Sequence, residues 1–242
     1  YGTSCAPYLA TRALNQLVDD YHVYPNACEL IRSNFYVDNL LFTCETVEKS
    51  NKLRKELCEV FEKAGMSLRE WISNSQEVLS SIPTSHLEKI QESSEIKALG
   101  IIWNISSDTF TFKLNFKDKK SLTMSSVLSC IASIYDPIGW LGPIILTAKL
   151  FMKKLCSLHL DWKSALSDDL CEEWKKFETS LILVNQIKID RQIICVNPVN
   201  IQLHEFCDAS TKSCGMVLYL RSTNINKNVT CRIITSKRIS TV

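Results

Sequence analysis

The spacing of apolar residues changes twice along the chain, and this change constrains the fold more than any other feature of the sequence. Short β-forming runs mixed with helical segments fill residues 1–118, helical spacing dominates residues 119–195, and strand-like runs return in residues 196–242. Strands and helices that are segregated along a chain are typical of the α+β class. The sequence therefore predicts an α+β fold in three regions.

The first region contains two predicted hairpins and two predicted helices. Helical spacing covers about Ala6 to Leu17, and Phe35 to Phe42 places two short β-rich runs around a polar turn at Asp38-Asn39. Leu99 to Trp103 and Phe110 to Phe116 are predicted to form the second hairpin. The other helix is indicated by one apolar face followed by Gly65 as a stop, with Leu53, Leu57, Val60, Phe61 and Ala64 on that face.

The second region is predicted to be three helices. Thr123 can cap the first, which ends at Asp136-Pro137 because the residue before a proline disfavours helical geometry. The second is expected from near Pro143 to about Leu160, and the third opens at Ser167. Their predicted inward faces are Val127, Leu128, Ile131 and Ile134 in the first helix, and Leu170, Trp174, Phe177 and Leu181 in the third.

The third region is predicted to be a β-sheet. Ile201 to Cys207, Cys214 to Leu220 and Val229 to Thr235 are strand-like, with polar turns between them. Three strands alone make a poor core, because a sheet needs a covering layer. We expect this sheet to be an incomplete domain.

Composition excludes several classes of protein. Hydrophobic residues make up 45% and charged residues 22% of the chain, which is ordinary for a globular protein. The net charge of +2 gives no overall positive potential of the kind that indicates a nucleic-acid-binding protein. Eleven cysteines without a Cys-x-x-Cys pair indicate neither a zinc site nor a disulfide framework. The most apolar stretch, residues 138–152, is interrupted by Gly142, Pro143 and Lys149, so we expect no membrane span and, without a leader sequence, no secretion.

Asp38 and Asp208 are the sharpest candidates for chemistry. Asp38 stands on a tight turn between two strands, and Asp208 ends a strand in Phe206-Cys207-Asp208-Ala209-Ser210. A carboxylate fixed in this way is an oxygen donor of the kind that Mg²⁺ needs. Each has a plain structural alternative, because Asp-Asn suits a two-residue turn and Asp at a strand end suits an Asx turn.

Basic clusters and tryptophans are weaker candidates for nucleic-acid contacts, and we expect them to have structural roles. Basic clusters at Lys52, Arg54 and Lys55 and at residues 117–120 are expected to be solvated faces. Tryptophans in apolar-periodic contexts are expected in the core, namely Trp71, Trp103, Trp162 and Trp174.

Motifs in the first region resemble the Pol polyprotein of Bel/Pao-type long-terminal-repeat retrotransposons. Residues 1–8, Tyr-Gly-Thr-Ser-Cys-Ala-Pro-Tyr, are similar to the stretch that leads into the reverse transcriptase palm helix. Tyr36-Val37-Asp38-Asn39 resembles the Tyr-x-Asp-Asp box of reverse transcriptases. Residues 70–75 are similar to the family's Lys-Trp-x-Ser-Asn stretch, and residues 99–103 to the Leu-Gly-x-x-Trp stretch of the hairpin that grips the primer end.

The resemblance continues through the other two regions. Residues 131–139, Ile-Ala-Ser-Ile-Tyr-Asp-Pro-Ile-Gly, are similar to the family's thumb or connection signature, and Leu160-Asp161-Trp162 follows at a fitting distance. Phe206 to Ser210 resembles the first strand of the retroelement ribonuclease H domain. The order of these short motifs is itself evidence. It implies a partial palm in residues 1–118, a helical thumb or connection in 119–195, and an incomplete ribonuclease H-like sheet in 196–242.

The resemblance also implies roles for individual residues. Asp38 and Asp208 would be catalytic and would ligate Mg²⁺ or Mn²⁺, one for the polymerase and one for the ribonuclease. Asn39, where the family box has a second Asp, would be a neutral metal ligand. The residues implied to contact nucleic acid are Tyr36, Gly2, Pro7, Gly100 and Trp103.

We therefore expect an internal fragment of an RNA-directed DNA polymerase and ribonuclease H. The remaining essential acidic residues would lie before Tyr1 and after Val242, so the fragment is expected to be catalytically incomplete and to bind no metal tightly. Template-primer, RNA–DNA hybrid and the rest of Pol are the implied partners, in the cytoplasm within virus-like particles or in the nucleus. The alternatives are a non-catalytic nucleic-acid-binding remnant and an unrelated α+β domain.

Overall fold

Helices and short antiparallel strands make up the computed structural model of the chain, which describes residues 2–89, 94–114 and 121–240. Helices account for 42% and strands for 24% of the structure, which confirms the predicted α+β class. The chain divides into two compact units, Tyr1–Gln91 and Glu92–Val242. The domain boundaries expected from the sequence, at 118/119 and 195/196, stay predictions.

The first unit places a small hairpin among helices. Pro7 and Pro25 lie in the first turns of α1 and α2, where a missing N–H costs no hydrogen bond, and the Thr46 hydroxyl caps α3 by accepting the Lys49 N–H at 3.2 Å. The elements in order are α1 (Ala6–Asp20), α2 (Pro25–Asn34), β1 (Phe35–Tyr36), β2 (Asn39–Leu40), α3 (Val47–Lys63) and α4 (Gln76–Ser80), followed by a 3₁₀ turn at Thr84–His86.

The core of the first unit lies between α1, α2 and α3. Four of the five residues predicted for the inner face of α3 are buried, namely Leu53, Leu57, Val60 and Phe61. Ala64 is exposed because the helix ends at Lys63, and Gly65 follows with φ +68°. Phe35 of β1 packs on Phe61, with ring centroids 5.6 Å apart. This contact fixes the hairpin on the helical core.

The second unit begins with a four-stranded antiparallel sheet. Its strands follow the order β3 (Glu95–Ala98), β4 (Ile101–Asn104), β5 (Thr109–Thr111) and β6 (Lys188–Asp190). The last strand comes from a segment almost 80 residues further along the chain, so this sheet joins both sides of the boundary expected at 118/119.

Three helices follow, and they pack around one apolar core. They are α5 (Met124–Ser133), α6 (Gly142–Ser157) and α7 (Asp168–Leu181), with a 3₁₀ turn at Ile182–Gln186. Thr123 and Ser126 form a capping box at the start of α5. The fully buried indole of Trp174 lies between Phe151 and Phe177, with ring centroids 5.2 Å away on each side.

The second unit also contains a three-stranded antiparallel sheet of long strands. They are β7 (Pro198–Ala209), β8 (Ser213–Asn224) and β9 (Val229–Ser240), with β8 in the middle. The three strands predicted from the sequence are therefore confirmed, and each is longer than expected. Apolar side chains stand exposed on the sheet, including Leu203 at 64% and Phe206 at 59%.

Five further expectations from the sequence are wrong in detail. The turn of the first hairpin is Val37-Asp38, and Asn39 belongs to β2, where it pairs with Tyr36. Leu128 is 44% exposed because it follows the inward-facing Val127 on the helix, and Trp162 is 47% exposed in the turn after α6. Arg54, which was expected on a solvated face, is buried. The strand expected from Phe110 to Phe116 starts at Thr109 and ends at Thr111. Residues 115–120, with Phe116 and the second basic cluster, lie outside the described residues.

Candidate functional site

Asp208 lies on the exposed end of β7, one residue before the strand ends. Its backbone pairs with Gly215 of β8, and Gly215 pairs in turn with Arg238 of β9. Directly paired residues in an antiparallel sheet project from the same face, so Asp208 and Arg238 share one face with a glycine between them. Two strand spacings separate the acid and the base, about 10 Å between Cα atoms.

The Arg238 side chain packs over two glycines. A Cβ at Gly215 would lie 3.4 Å from Cγ of Arg238, and a Cβ at Gly142, the first residue of α6, would lie 3.2 Å from its Nε. Among the described residues, neither the Asp208 carboxylate nor the Arg238 guanidinium has an ion-pair partner. Both charged groups are therefore placed by the sheet and exposed to solvent.

The neighbouring Cys207 and Glu205 lie on the opposite face of β7. The Cys207 thiol lies 3.3 Å from the Glu205 carboxylate, and this hydrogen bond raises the pKa of Cys207. A shallow concavity of about 340 Å³ lies beside Asp208 at this end of the sheet, lined by Cys207, Cys214, Met216 and Lys237 among others. Cys207 and Asp208 are thus both exposed to solvent at this end of β7.

The loop before α6 is organised by Asp136. Its Oδ1 accepts the N–H groups of Gly139 at 3.0 Å and Trp140 at 2.9 Å, and its Oδ2 accepts that of Leu141 at 2.8 Å. Burial raises the pKa of Asp136, and the three N–H donors act in the opposite direction. The Asp-Pro pair therefore does more than end α5, because its carboxylate folds the next five residues around itself.

The folded loop docks on the outer edge of β9. The Ile138 carbonyl accepts the Ser236 N–H at 3.1 Å, and the Ser236 hydroxyl donates to the Gly139 carbonyl at 2.5 Å. The Trp140 indole donates to the Ile234 carbonyl at 3.1 Å. Gly139 has φ +87°, and a Cβ there would lie 1.7 Å from the Ser236 carbonyl oxygen, so only glycine fits.

The same loop reaches the four-stranded sheet. The Trp140 ring stacks on Phe110 with centroids 5.4 Å apart and meets Phe112 edge-on at 6.4 Å. Asp190 of β6 and Arg232 of β9 form an ion pair at 2.5 Å between the two sheets. The second unit therefore holds its two sheets together through residues 136–141 and this ion pair.

Trp103 and Gly100, both implied to contact nucleic acid, make structural contacts in the second unit. The Trp103 indole donates to Asp108 at 3.0 Å, and the Arg191 guanidinium lies 5.6 Å from its ring centroid. Arg191 also holds both oxygens of Asp108, at 2.6 and 2.9 Å. Gly100 lies in the turn between β3 and β4 against the ring of Tyr135.

The remaining candidates lie in the first unit. Asp38 is exposed at the hairpin tip, and its Oδ1 accepts a hydrogen bond from the Asn39 amide at 2.9 Å. The preceding Val37 has φ +59°, a strained conformation for a β-branched residue. Tyr36 is 63% exposed, and Gly2 and Pro7 are exposed at the start of the chain.

The described residues contain neither a metal-binding cluster nor a membrane-spanning helix. The part of the chain that the structure describes contains no cluster of three or more His, Cys, Asp or Glu side chains placed to hold a metal ion. Within the same residues, each helix is too short or too polar to cross a membrane.

The C-terminal region of the chain is similar to a known protein family. Residues 123–241 match an RNaseH-like family model, beginning at the residue that caps α5 and including all of β7, β8 and β9. The family is described as the Pao retrotransposon-like RNaseH-like domain. The match covers just under half of the chain and supports a Pao/Bel retrotransposon Pol origin with an RNase H-like region. A comparison with curated proteins found no match.

The matched region contains elements that are also in contact in the structure. The helices α5–α7 and the three-stranded sheet fall in one match, and the loop at residues 136–141 is hydrogen-bonded to the sheet. The sequence marked Tyr135 and Asp136 only as part of the 131–139 motif, with Asp136 at a helix end, and did not indicate their contacts. Arg238 was missed. For Asp136, a usable signal was an acidic residue three positions before Gly139 and shortly before a helix that begins Gly-Pro.

Proposed function

We propose that the chain is a segment of a retrotransposon Pol polyprotein and that its RNase H-like region is part of the ribonuclease that cuts the RNA strand of RNA–DNA hybrids in that polyprotein. Asp208 is the proposed catalytic carboxylate. The observation that carries this proposal is the exposed Asp208 carboxylate at a strand end, without a partner among the described residues, inside the region that matches the family.

Asp208 fits a divalent cation as one ligand of several. When bound, Mg²⁺ or Mn²⁺ would supply the charge that activates the attacking oxygen and stabilises the leaving one, and Asp208 would be one of the residues that hold it. The described residues contain no group of three or more His, Cys, Asp or Glu side chains that could hold a metal ion, so the further ligands are proposed to come from outside them. On this basis we propose that the segment is catalytically incomplete by itself and holds no metal tightly.

Arg238 has a proposed role in substrate binding. Its exposed guanidinium stands in the same row as Asp208, fixed against Gly142 and Gly215. A guanidinium binds phosphate oxygens through paired N–H donors. We propose that Arg238 binds a backbone phosphate beside the scissile bond. Its guanidinium has no ion-pair partner among the described residues and lies two strands from Asp208, a position that suits a phosphodiester.

The ribonuclease proposal is tested in the Pol polyprotein that contains this segment. Asp208→Asn should abolish hybrid cleavage while sparing primer extension, because the neutral amide removes one charge from the metal site. Glu205→Gln is the matched control, since Glu205 is an exposed carboxylate of the same strand on its other face. Cleavage at the unchanged rate by Asp208→Asn would refute the assignment.

The polymerase assignment of the first unit is a further part of the proposal. It is supported by the exposed Asp38 on a two-residue turn whose neighbour Val37 is held at positive φ, because such strain concentrates at functional sites. Asp38 and Asn39 are the proposed metal ligands, with Tyr36, Gly2 and Pro7 beside template-primer. Gly100 and Trp103 of the β3–β4 hairpin are proposed to lie close to the primer.

Substitutions at the hairpin tip test this part. Asp38→Ala should abolish primer extension by the polyprotein and leave hybrid cleavage intact. Asn39→Asp should raise extension if the amide weakens metal binding. Asp20→Asn, at the exposed end of α1, is the control for loss of a surface carboxylate. Unchanged extension by Asp38→Ala would overturn the polymerase role.

A second candidate function is nucleic-acid binding without catalysis. Residues 198–240 carry six Lys and Arg against two Asp and Glu, so the three-stranded sheet is basic although the whole chain is nearly neutral. Binding through phosphate contacts should weaken steeply as salt rises, because counterions are released. A near-flat titration at low salt would exclude this function.

The partners and the location are part of the same proposal, because they follow from the Pol assignment. The proposed partners are template-primer, RNA–DNA hybrid and the rest of Pol, and the proposed location is the cytoplasm or the nucleus.

A further inference from the structure

The tip of the β3–β4 hairpin is a strained two-residue turn. Ala98 pairs with Ile101, so Leu99 and Gly100 form the turn, with φ of +50° and +84°. A turn with positive φ at both positions suits the twist of a hairpin, but it disfavours a side chain such as leucine. Some other contact must therefore hold Leu99 in place.

Tyr135 supplies that contact. Its hydroxyl donates to the Leu99 carbonyl at 2.9 Å, and its ring lies against Gly100 so closely that a Cβ there would be 2.5 Å from Cε1. Tyr135 itself is 54% exposed. The contact is therefore a specific bond between a side chain and a turn, made at the surface rather than in the core.

Tyr135 also begins the loop that docks on the three-stranded sheet. The next residue, Asp136, fixes residues 139–141, and Ile138 and Trp140 bond to β9. A continuous run of side-chain and backbone bonds thus connects the Leu99–Gly100 turn to the strand that carries Arg238. All of these residues lie in the second unit.

We infer that Tyr135 is a positioning residue that fixes the β3–β4 hairpin tip relative to the three-stranded sheet, so that one RNA–DNA duplex contacts both at a fixed spacing. This inference rests on the proposed function for the identity of the duplex. Two contacts held at a fixed spacing strengthen each other, because the second forms at a high effective concentration once the first is made.

The test compares two hybrids, one long enough to reach both contacts and one that reaches only one. Binding of each to the full chain is measured by fluorescence anisotropy without divalent metal, so that nothing is cut. The variants are Tyr135→Phe, which removes only the hydroxyl, and Tyr135→Ala. Tyr24→Phe is the matched control, since the exposed Tyr24 hydroxyl bonds to Glu59 in the first unit.

Tyr135→Phe should weaken binding of the long hybrid about fivefold, as expected for one hydrogen bond, and Tyr135→Ala should weaken it further. Binding of the short hybrid should not change, and Tyr24→Phe should match the wild type on both. Equal losses on long and short hybrids would overturn the inference, because they indicate general destabilisation. Equal affinity of the wild type for the two hybrids, or no binding of either, would also overturn it.

Hydrogen exchange gives a reading that does not depend on nucleic acid. In Tyr135→Phe the amides of Ala98 and Ile101 should exchange several times faster than in the wild type, while amides of α3 are unchanged. Unchanged exchange beside the turn would overturn the positioning role. The proposed ribonuclease function fails separately, on the Asp208→Asn cleavage assay, so the two failures are distinguishable.

Discussion

Replacing Asp136 with alanine should lower the free energy of unfolding of the second unit by about 2–4 kcal/mol. A hydrogen bond to a charged acceptor contributes about 1.5–3 kcal/mol, and Asp136 accepts three. The sum is an upper bound, because the side chain is only half-buried and water can reach some of the N–H groups after truncation. About half of the bound is therefore the expected loss.

Asparagine separates the contributions of the two oxygens. The Asp136 Oδ1 accepts two N–H groups and Oδ2 accepts the third, from Leu141. An asparagine oxygen can keep the first two bonds, but its NH₂ group would face the Leu141 N–H, donor against donor. Asp136→Asn should therefore lower the free energy of unfolding by about 1–2 kcal/mol. This loss is smaller than that of Asp136→Ala, because one hydrogen bond is lost rather than three.

Urea denaturation followed by tryptophan fluorescence is the assay. Four of the five tryptophans, including Trp140 in the loop itself, lie in the second unit, so the signal reports mainly on that unit. Asp161→Ala is the control, because Asp161 accepts one backbone N–H in an exposed turn. A free energy of unfolding for Asp136→Ala within about 0.5 kcal/mol of the wild type would refute the reasoning.

Three other changes have defined outcomes. Gly139→Ala should lower the free energy of unfolding in urea by more than about 3 kcal/mol, because the new Cβ meets a β9 carbonyl. Gly65→Ala, which has open space around it and φ +68°, should lower it by about 1 kcal/mol. Equal losses of stability in the two variants would contradict the contact at Gly139. Thr123→Ala should cost about 1 kcal/mol by removing the α5 cap, and Thr123→Ser should restore it. Glu205→Gln should speed alkylation of Cys207 at pH 8, because the carboxylate raises the pKa of that thiol; no change in rate, read by mass spectrometry, would contradict this.

Elements with strong periodicity were predictable from the sequence. The inner faces of α3 and α7, the Thr123 cap and the strands β7–β9 follow from spacing and capping chemistry, which act locally. The strands β3 and β6 were missed because each is at most four residues long and gains its stability from neighbours distant in sequence.

The candidate site was predictable only in part. Asp208 stood out because its strand and its motif are both local. Arg238 did not, because its place beside Asp208 depends on the register of three strands, which the sequence does not display. Asp136 was correctly expected to follow a helix end, but its carboxylate gains its role only when the chain turns back through Gly139.

The loop on β9 gives the three-stranded sheet two unequal edges. Residues 138–140 occupy the middle of the β9 edge, whereas β7, in the part of the chain that the structure describes, pairs on one side only. Unpaired edges invite strand addition, so self-association of this segment would start at β7. Two copies joined there in antiparallel fashion would leave both outer edges obstructed. Growth would then stop at a dimer instead of propagating into fibrils.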